Sequence, residues 1–146
     1  MKKIFNLLVV LLISSVSVVK ADNDKIIGKN QLPAQAQQFL NENFANIKIS
    51  YAKQERDFLE RSYEVLLTDG TKLEFSSKGT WEEVDCKYGE VPAAIVPERI
   101  KQYIKENYPS EKVLKIERKR NNVEVKLSNK LELTFDNDFN IIDIDD

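Results

Sequence analysis

The sequence predicts an α+β fold: two tandem helix-plus-four-strand repeats sharing an antiparallel sheet, with the helices on one face. Three observations predict it. A block of residues recurs along the chain, each copy opens with an amphipathic helical pattern, and each continues in short alternating strands broken by turn residues. Leu32-Pro33 and the run Gln38 to Phe44 reappear 64 residues on as Val96-Pro97 and Gln102 to Tyr108. At an offset of 60, Tyr63 to Leu67 meets Val123 to Leu127, Phe75 meets Phe135, Trp81 meets Ile141 and Asp85 meets Asp145.

The elements follow in order. Residues 1–21 have the layout of a secretory signal peptide: Lys2 and Lys3, an apolar run from Ile4 to Val19, then Val19-Lys20-Ala21 before a cut between Ala21 and Asp22. The run is shorter than the about 20 apolar residues of a spanning helix, and no Cys follows the cut to carry a lipid. Residues 22–88 form the first expected repeat and 89–146 the second. Pro33 and Pro97 sit near helix starts, where a missing N–H costs nothing. Ala36, Phe39, Leu40 and Phe44 make one apolar stripe, and Ile100, Tyr103, Ile104 and Tyr108 make the other. Shorter helical turns are expected at Ile27 to Gln31 and Val91 to Ile95.

Strands are expected at Ile47 to Gln54, Ser62 to Thr68, Thr71 to Phe75 and Thr80 to Val84, then at Lys112 to Arg118, Val123 to Leu127, Leu131 to Phe135 and Asn140 to Ile144. Asp69-Gly70 is a strong hairpin signal, and Lys78-Gly79, Ser128-Asn129-Lys130 and Asn137-Asp138 serve as further turns. Alternation places Tyr63, Val65, Leu67, Val123, Val125, Leu127, Leu131, Leu133 and Phe135 on a core face, and Phe75 is read as buried there too. The first strands conflict: Ile47, Ile49 and Tyr51 favour one phase, Leu114 and Ile116 the other. Trp81 is read as core, after its counterpart Ile141.

The residues Tyr103 to Pro109, Val123 to Leu127, Leu131 to Asp136 and a closing Ile-Asp-Ile-Asp (142–145), with Tyr63 to Phe75 and Trp81 to Cys86, resemble the PepSY-like, beta-lactamase-inhibitor-like periplasmic domains of Bacteroidetes. The resemblance covers nearly all of the chain after the signal. It implies an antiparallel sheet and a binding or inhibitory role, and it brings no catalytic signature. Lys130 and Phe139 depart from it, standing where a turn Gly is usual.

Composition restricts the chemistry. The chain has no His and one Cys, so Cys86 lacks the usual activating base and no structural zinc set can be assembled. Cys86 reads as a small buried residue, and Ser77-Lys78 as a turn. Four Gly without clustering exclude a phosphate-cradling loop. No cofactor is expected, and the chain is read as a non-enzyme. After signal removal, 19 Lys+Arg stand against 24 Asp+Glu, a net charge of −5. An acidic exported domain is a poor partner for nucleic acid or anionic lipid, so Lys115, Arg118, Lys119 and Arg120 read as a solvated turn.

Two functions remain. One is an exported, non-catalytic binding module, inhibitor-like, that docks an unidentified periplasmic or secreted protein on the helix-free sheet face. That face should carry Glu64, Leu66, Lys72, Glu74, Glu124, Lys126, Glu132 and Thr134, with Trp81 at its border. The alternative is a small-ligand or calcium-responsive envelope protein using the acidic C-terminus. Asp136, Asp138 and Asn140 open like a calcium loop, but position six is Ile141 rather than Gly, and position twelve falls past Asp146.

Overall fold

The computed structural model describes residues 23–146; the expected signal peptide and its cleavage site lie outside them. Nine strands form one antiparallel sheet in sequence order: β1 (Lys25–Ile27), β2 (Ile49–Asp57), β3 (Glu60–Leu67), β4 (Lys72–Ser76), β5 (Trp81–Asp85), β6 (Val113–Arg118), β7 (Asn122–Leu127), β8 (Glu132–Asp136) and β9 (Ile141–Asp145). Helix α1 (Ala34–Asn43) precedes β2, and α2 (Glu98–Asn107) lies between β5 and β6.

This corrects the expected architecture of two tandem helix-plus-four-strand repeats. The molecule is a single nine-stranded sheet with two α-helices among the described residues. β5 pairs directly with β6 through Glu83↔Glu117, Val84↔Ile116 and Asp85↔Lys115, so the ladder has no break at mid-chain. A further strand, β1, adds to β2. Three residues, Lys25 to Ile27, are too short to show a period, so the sequence reading placed a helical turn from Ile27 onward. Only a short 3-10 turn at Lys29–Gln31 is found, and Val91 to Ile95 forms hydrogen-bonded turns rather than a helix.

One apolar row crosses every strand. In register it runs Ile27, Ala52, Val65, Leu73, Val84, Ile116, Val125, Leu133 and Ile144. Seven of the nine are 2% exposed or less, and only Ile144 on the edge strand is open to solvent. Both helices cover this face. Phe39 of α1 meets Phe75 edge-on at 5.7 Å, and Tyr103 of α2 meets Phe135 edge-on at 5.5 Å. Edge-to-face contact sets a positive ring edge against a negative ring face. Pro33 and Pro97 occupy the helix N-cap positions. The inward assignments of Phe75 and Phe135, both fully buried, hold.

The phase conflict in the first strands has a physical cause. β2 changes register between Ile49 and Tyr51, and β6 between Val113 and Lys115. A bulge adds one residue and turns the side chains after it to the other face. Ile49 therefore packs on the core while Tyr51 faces away, and the next inward residue is Ala52. In β6 the inward residues are Val113 and Ile116, and Leu114 is not among them.

The turns retain left-handed geometry even without glycine. Gly70 and Gly79 have φ of 88° and 87°, while Lys130 and Phe139 take φ of 77° and 62°. Side chains support the hairpins: the Thr71 N–H donates to Asp69 Oδ1 at 2.9 Å, and the Leu131 N–H donates to Asn129 Oδ1 at 3.1 Å. No helix of the described residues is long and apolar enough to cross a membrane.

Candidate functional site: the open charged face

The face away from the helices is built on the neighbouring row of the same ladder. It runs Ile26, Lys53, Glu64, Glu74, Glu83, Glu117, Glu124, Thr134 and Asp143. Five glutamates thus stand side by side on five adjacent strands. Like charges directly opposite in a sheet repel, so this row needs cations between its members.

Lysines supply them. Lys72 Nζ lies 2.9 Å from Glu74 and 3.1 Å from Glu83. Lys115 Nζ lies 3.0 Å from Glu83 and 3.5 Å from Glu117. Lys119 bonds Glu124 at 2.7 Å. Lys53 bonds Glu55 at 2.7 Å and sits 3.6 Å from Glu64, whose carboxylate also accepts the Tyr51 hydroxyl at 2.6 Å. Glu83 is the centre of this lattice, with its side chain 7% exposed and clasped by lysines from both flanking strands. Burial pushes its carboxyl up, but the hydrogen bonds from Lys115 and Lys72 outweigh burial and hold it below the ordinary carboxylate range. Burial likewise pulls Lys72 and Lys115 down, and their glutamate partners raise both above the usual lysine value.

The predicted partner-binding residues fall on this face in different states. Glu64, Lys72, Glu74 and Glu124 are engaged in the lattice. Leu66 is half-buried, opposite Tyr51 and Lys72. Lys126 and Glu132 face each other in register and are exposed, and among the described residues neither makes an ion pair. Trp81 is half-buried and packs against the edge of the core, in register with Phe75. Its ring lies 6.1 Å from Phe39 on one side, and the Arg118 guanidinium sits 3.8 Å from its centroid on the other. Glu83, Glu117, Lys115 and Lys53 were missed. Alternation finds outward residues, but only register shows which of them meet, and bulges shift the register at β2, β5 and β6.

The basic residues read as a solvated turn are largely committed: Lys115 to Glu83, Arg118 to Trp81 and Lys119 to Glu124. Cys86 is a buried free thiol, and burial raises its pKa. In the calcium-like turn, several oxygens already accept hydrogen bonds. Asp136 Oδ1 accepts the backbone N–H groups of Asp138 and Asn140, both at 2.9 Å. Arg99 donates to the Asp138 carbonyl at 2.7 Å and to Asn140 Oδ1 at 2.9 Å. Two of the oxygens a cation would take are thus bound by a guanidinium. Among the described residues no group of three His, Cys, Asp or Glu side chains is placed to hold a metal.

Among the described residues the open antiparallel sheet carries a charged, cross-linked face. Residues 61–143 match the family described as "Putative beta-lactamase-inhibitor-like, PepSY-like". The chain belongs to that PepSY-like family. It is similar to a "putative periplasmic protein" of the DUF2874 family from Bacteroides vulgatus, at 53% identity and a TM-score of 0.84 over 86% of this chain and 99% of that one. It is also similar to a "putative calcium-regulated periplasmic protein" from Bacteroides thetaiotaomicron, at 55% identity and a TM-score of 0.83 over 84% and 97% of the two chains. A third, a "putative periplasmic protein of unknown function" from Bacteroides vulgatus, is 40% identical with a TM-score of 0.80 over 84% and 99%. No curated protein matches the chain.

Proposed function

We propose that this protein is exported to the periplasm and acts there as a non-catalytic, inhibitor-like binding module. Its partner is a periplasmic or secreted protein docked on the open sheet face. The observation that carries this reading is the lattice around Glu83. A surface whose charges are locked by their neighbours presents a fixed pattern, so little side-chain freedom is lost on docking. Leu66 supplies an apolar point amid the charges, and Lys126 and Glu132 remain available at the far side. The periplasmic description of the similar structures supports the location, and the family description supports the inhibitor-like role.

A pulldown from native periplasm, using the chain from Asp22, tests this. The expected outcome is a specific protein retained by the wild type and lost with Leu66→Asp or Lys126→Glu. Equal retention by all three removes the open face from the reading. Calcium enters only through the description of one similar protein. Running the pulldown with calcium and with chelator, beside a calorimetric calcium titration, separates a regulated module from an unregulated one.

A further inference from the structure

A second surface, independent of the open face, lies at the β2–β3 hairpin. These strands run past the rest of the sheet and end in Phe58 and Leu59, which are 98% and 87% exposed. Phe58 is held at φ 44°, a conformation that disfavours any side chain. The two cross-strand pairs below the tip are Asp57↔Glu60 and Arg56↔Arg61. Successive pairs face opposite sides of a hairpin, so the finger has an acidic side and a basic side. Each pair sets like charges opposite each other, which destabilises an isolated hairpin. Two apolar tip residues and two such pairs are a combination that solvent does not favour.

A cleft of about 200 Å³ opens between α2 and the start of β6. Its floor is apolar, made by Val91, Ile104, Tyr108 and Val113. Lys101 and Lys105 of α2 line it. Glu90 and Glu111, from the connections flanking α2, line it as well, and Glu111 also accepts the Ser128 hydroxyl. A dry apolar cavity of about 150 Å³ is enough to take benzene, so this cleft has room for the ring of Phe58. The two lysines of the lining can meet the acidic side of the finger, and the two glutamates its basic side. Lys101 bonds the exposed Glu98 at 2.8 Å, a surface pair that exchanges at little cost.

Finger and cleft lie at opposite ends of the strands. The tip lies beyond the Ser62↔Ser76 and Phe75↔Trp81 pairs, whereas the cleft borders Val113, which pairs with Leu127 beyond Asp85↔Lys115. One molecule therefore cannot fill its own cleft. We propose that the Phe58 finger of one copy docks in the α2–β6 cleft of a second copy, giving head-to-tail self-association. The contact is small, in the range of weak and transient interfaces. It is also heterologous, so it extends as an open chain or closes as a ring of copies.

Analytical ultracentrifugation of the protein purified from the periplasm tests this. The weight-average mass should climb with concentration past that of a dimer. Phe58→Ser removes the finger, and Ala93→Trp plugs the cleft from an exposed position on its lining. Each variant alone should stay monomeric, with unchanged thermal unfolding. Mixed in equal amounts they should form a two-chain species and nothing larger, because only one finger and one cleft remain. A wild type that is monomeric at every concentration overturns the proposal, as does association that survives Phe58→Ser or a mixture that stays monomeric. Phe58-dependent binding of a monomeric wild type to phosphatidylcholine vesicles would overturn it in favour of a lipid surface. Leu66→Asp should leave the association intact, which separates this contact from the open-face reading.

Discussion

Arg118 lies over the indole of Trp81, 3.8 Å from the ring centroid, while its Nη2 donates to the Trp81 carbonyl at 2.7 Å. The guanidinium thus binds both the side chain and the backbone of one residue across the β5–β6 junction. Such a stack contributes about 1 kcal/mol. Trp81 is the single tryptophan of the chain, so tryptophan emission reports this one site. Arg118→Ala should shift the fluorescence maximum to longer wavelength and lower stability by about 1 kcal/mol. An unchanged spectrum would mean that Phe39, not Arg118, sets the indole environment.

Glu83 should be the costliest charge on the open face to remove. Glu83→Ala leaves Lys72 and Lys115 close together with no anion between them. Losing one partner of a buried pair costs about 3–5 kcal/mol. The lysines here are about a third exposed, so the expected loss is nearer 2 kcal/mol by urea unfolding. Glu132→Ala, on an exposed unpaired residue, should change stability by less than about 0.5 kcal/mol.

The same carboxylate sets an acid dependence. In the folded state Glu83 binds its proton less readily than at the ordinary value of 4.5. Its stabilisation is therefore complete above that value and fades as pH falls through the lower folded one. Lys72 and Lys115 are shifted upward, so their contribution is complete below 10.5 and is lost only as pH rises through the higher folded values. Melting temperature should stay level from neutral to mildly alkaline pH and drop in acid. The gap between wild type and Glu83→Gln should close as pH falls below 4.5 and through the lower folded value. A gap that persists at pH 2 would show that Glu83 stabilises by packing instead of charge.

Lys130 and Phe139 hold left-handed backbone without being glycine, and they should respond oppositely to replacement. Relieving that conformation recovers about 1–2 kcal/mol, and the added freedom of an unfolded glycine returns up to about 1 kcal/mol of it. Lys130→Gly should therefore stabilise by about 0.5 kcal/mol. Phe139 also packs against the core, so Phe139→Gly forfeits burial of about 1.5–3 kcal/mol and should be a net loss. Chemical denaturation of the two variants side by side checks both signs.

Phe75→Asp or Phe135→Asp should abolish cooperative unfolding, because each places an unpaired charge at a fully buried site. A sharp thermal transition in either variant would contradict the core.

The helices and most strands were readable because their periods run for several turns or several residues. Ala36, Leu40, Ile100 and Ile104 are the buried helix residues, and all carry the stripe. What escaped was shorter than a period or broke one. β1 has three residues, the bulges at Ile49/Tyr51 and Val113/Lys115 reverse the alternation, and the extension to Phe58 follows polar residues that give no strand signal. The shared sheet was expected, but its division into two helix-plus-four-strand units failed: β1 adds a ninth strand too short to carry a period, and the β5–β6 pairing carries the ladder through mid-chain without a boundary. The open face was half readable: outward Glu64 and Glu124 follow from alternation, but the clasp of Glu83 by Lys72 and Lys115 depends on which strand lies beside which.

Every strand pairs only with its neighbours in sequence. Most of the eight ladders close through short hairpins, and the β1–β2 and β5–β6 ladders each span one helix. Folding rate falls as contacting residues become more distant along the chain, and here no strand waits for a partner from far away. A chain that emerges N-terminus first in extended form adds strands in order of arrival, zipping the sheet from β1 toward β9. The last edge to form would be β9, so the incomplete molecule would always present a fresh template strand at its growing end.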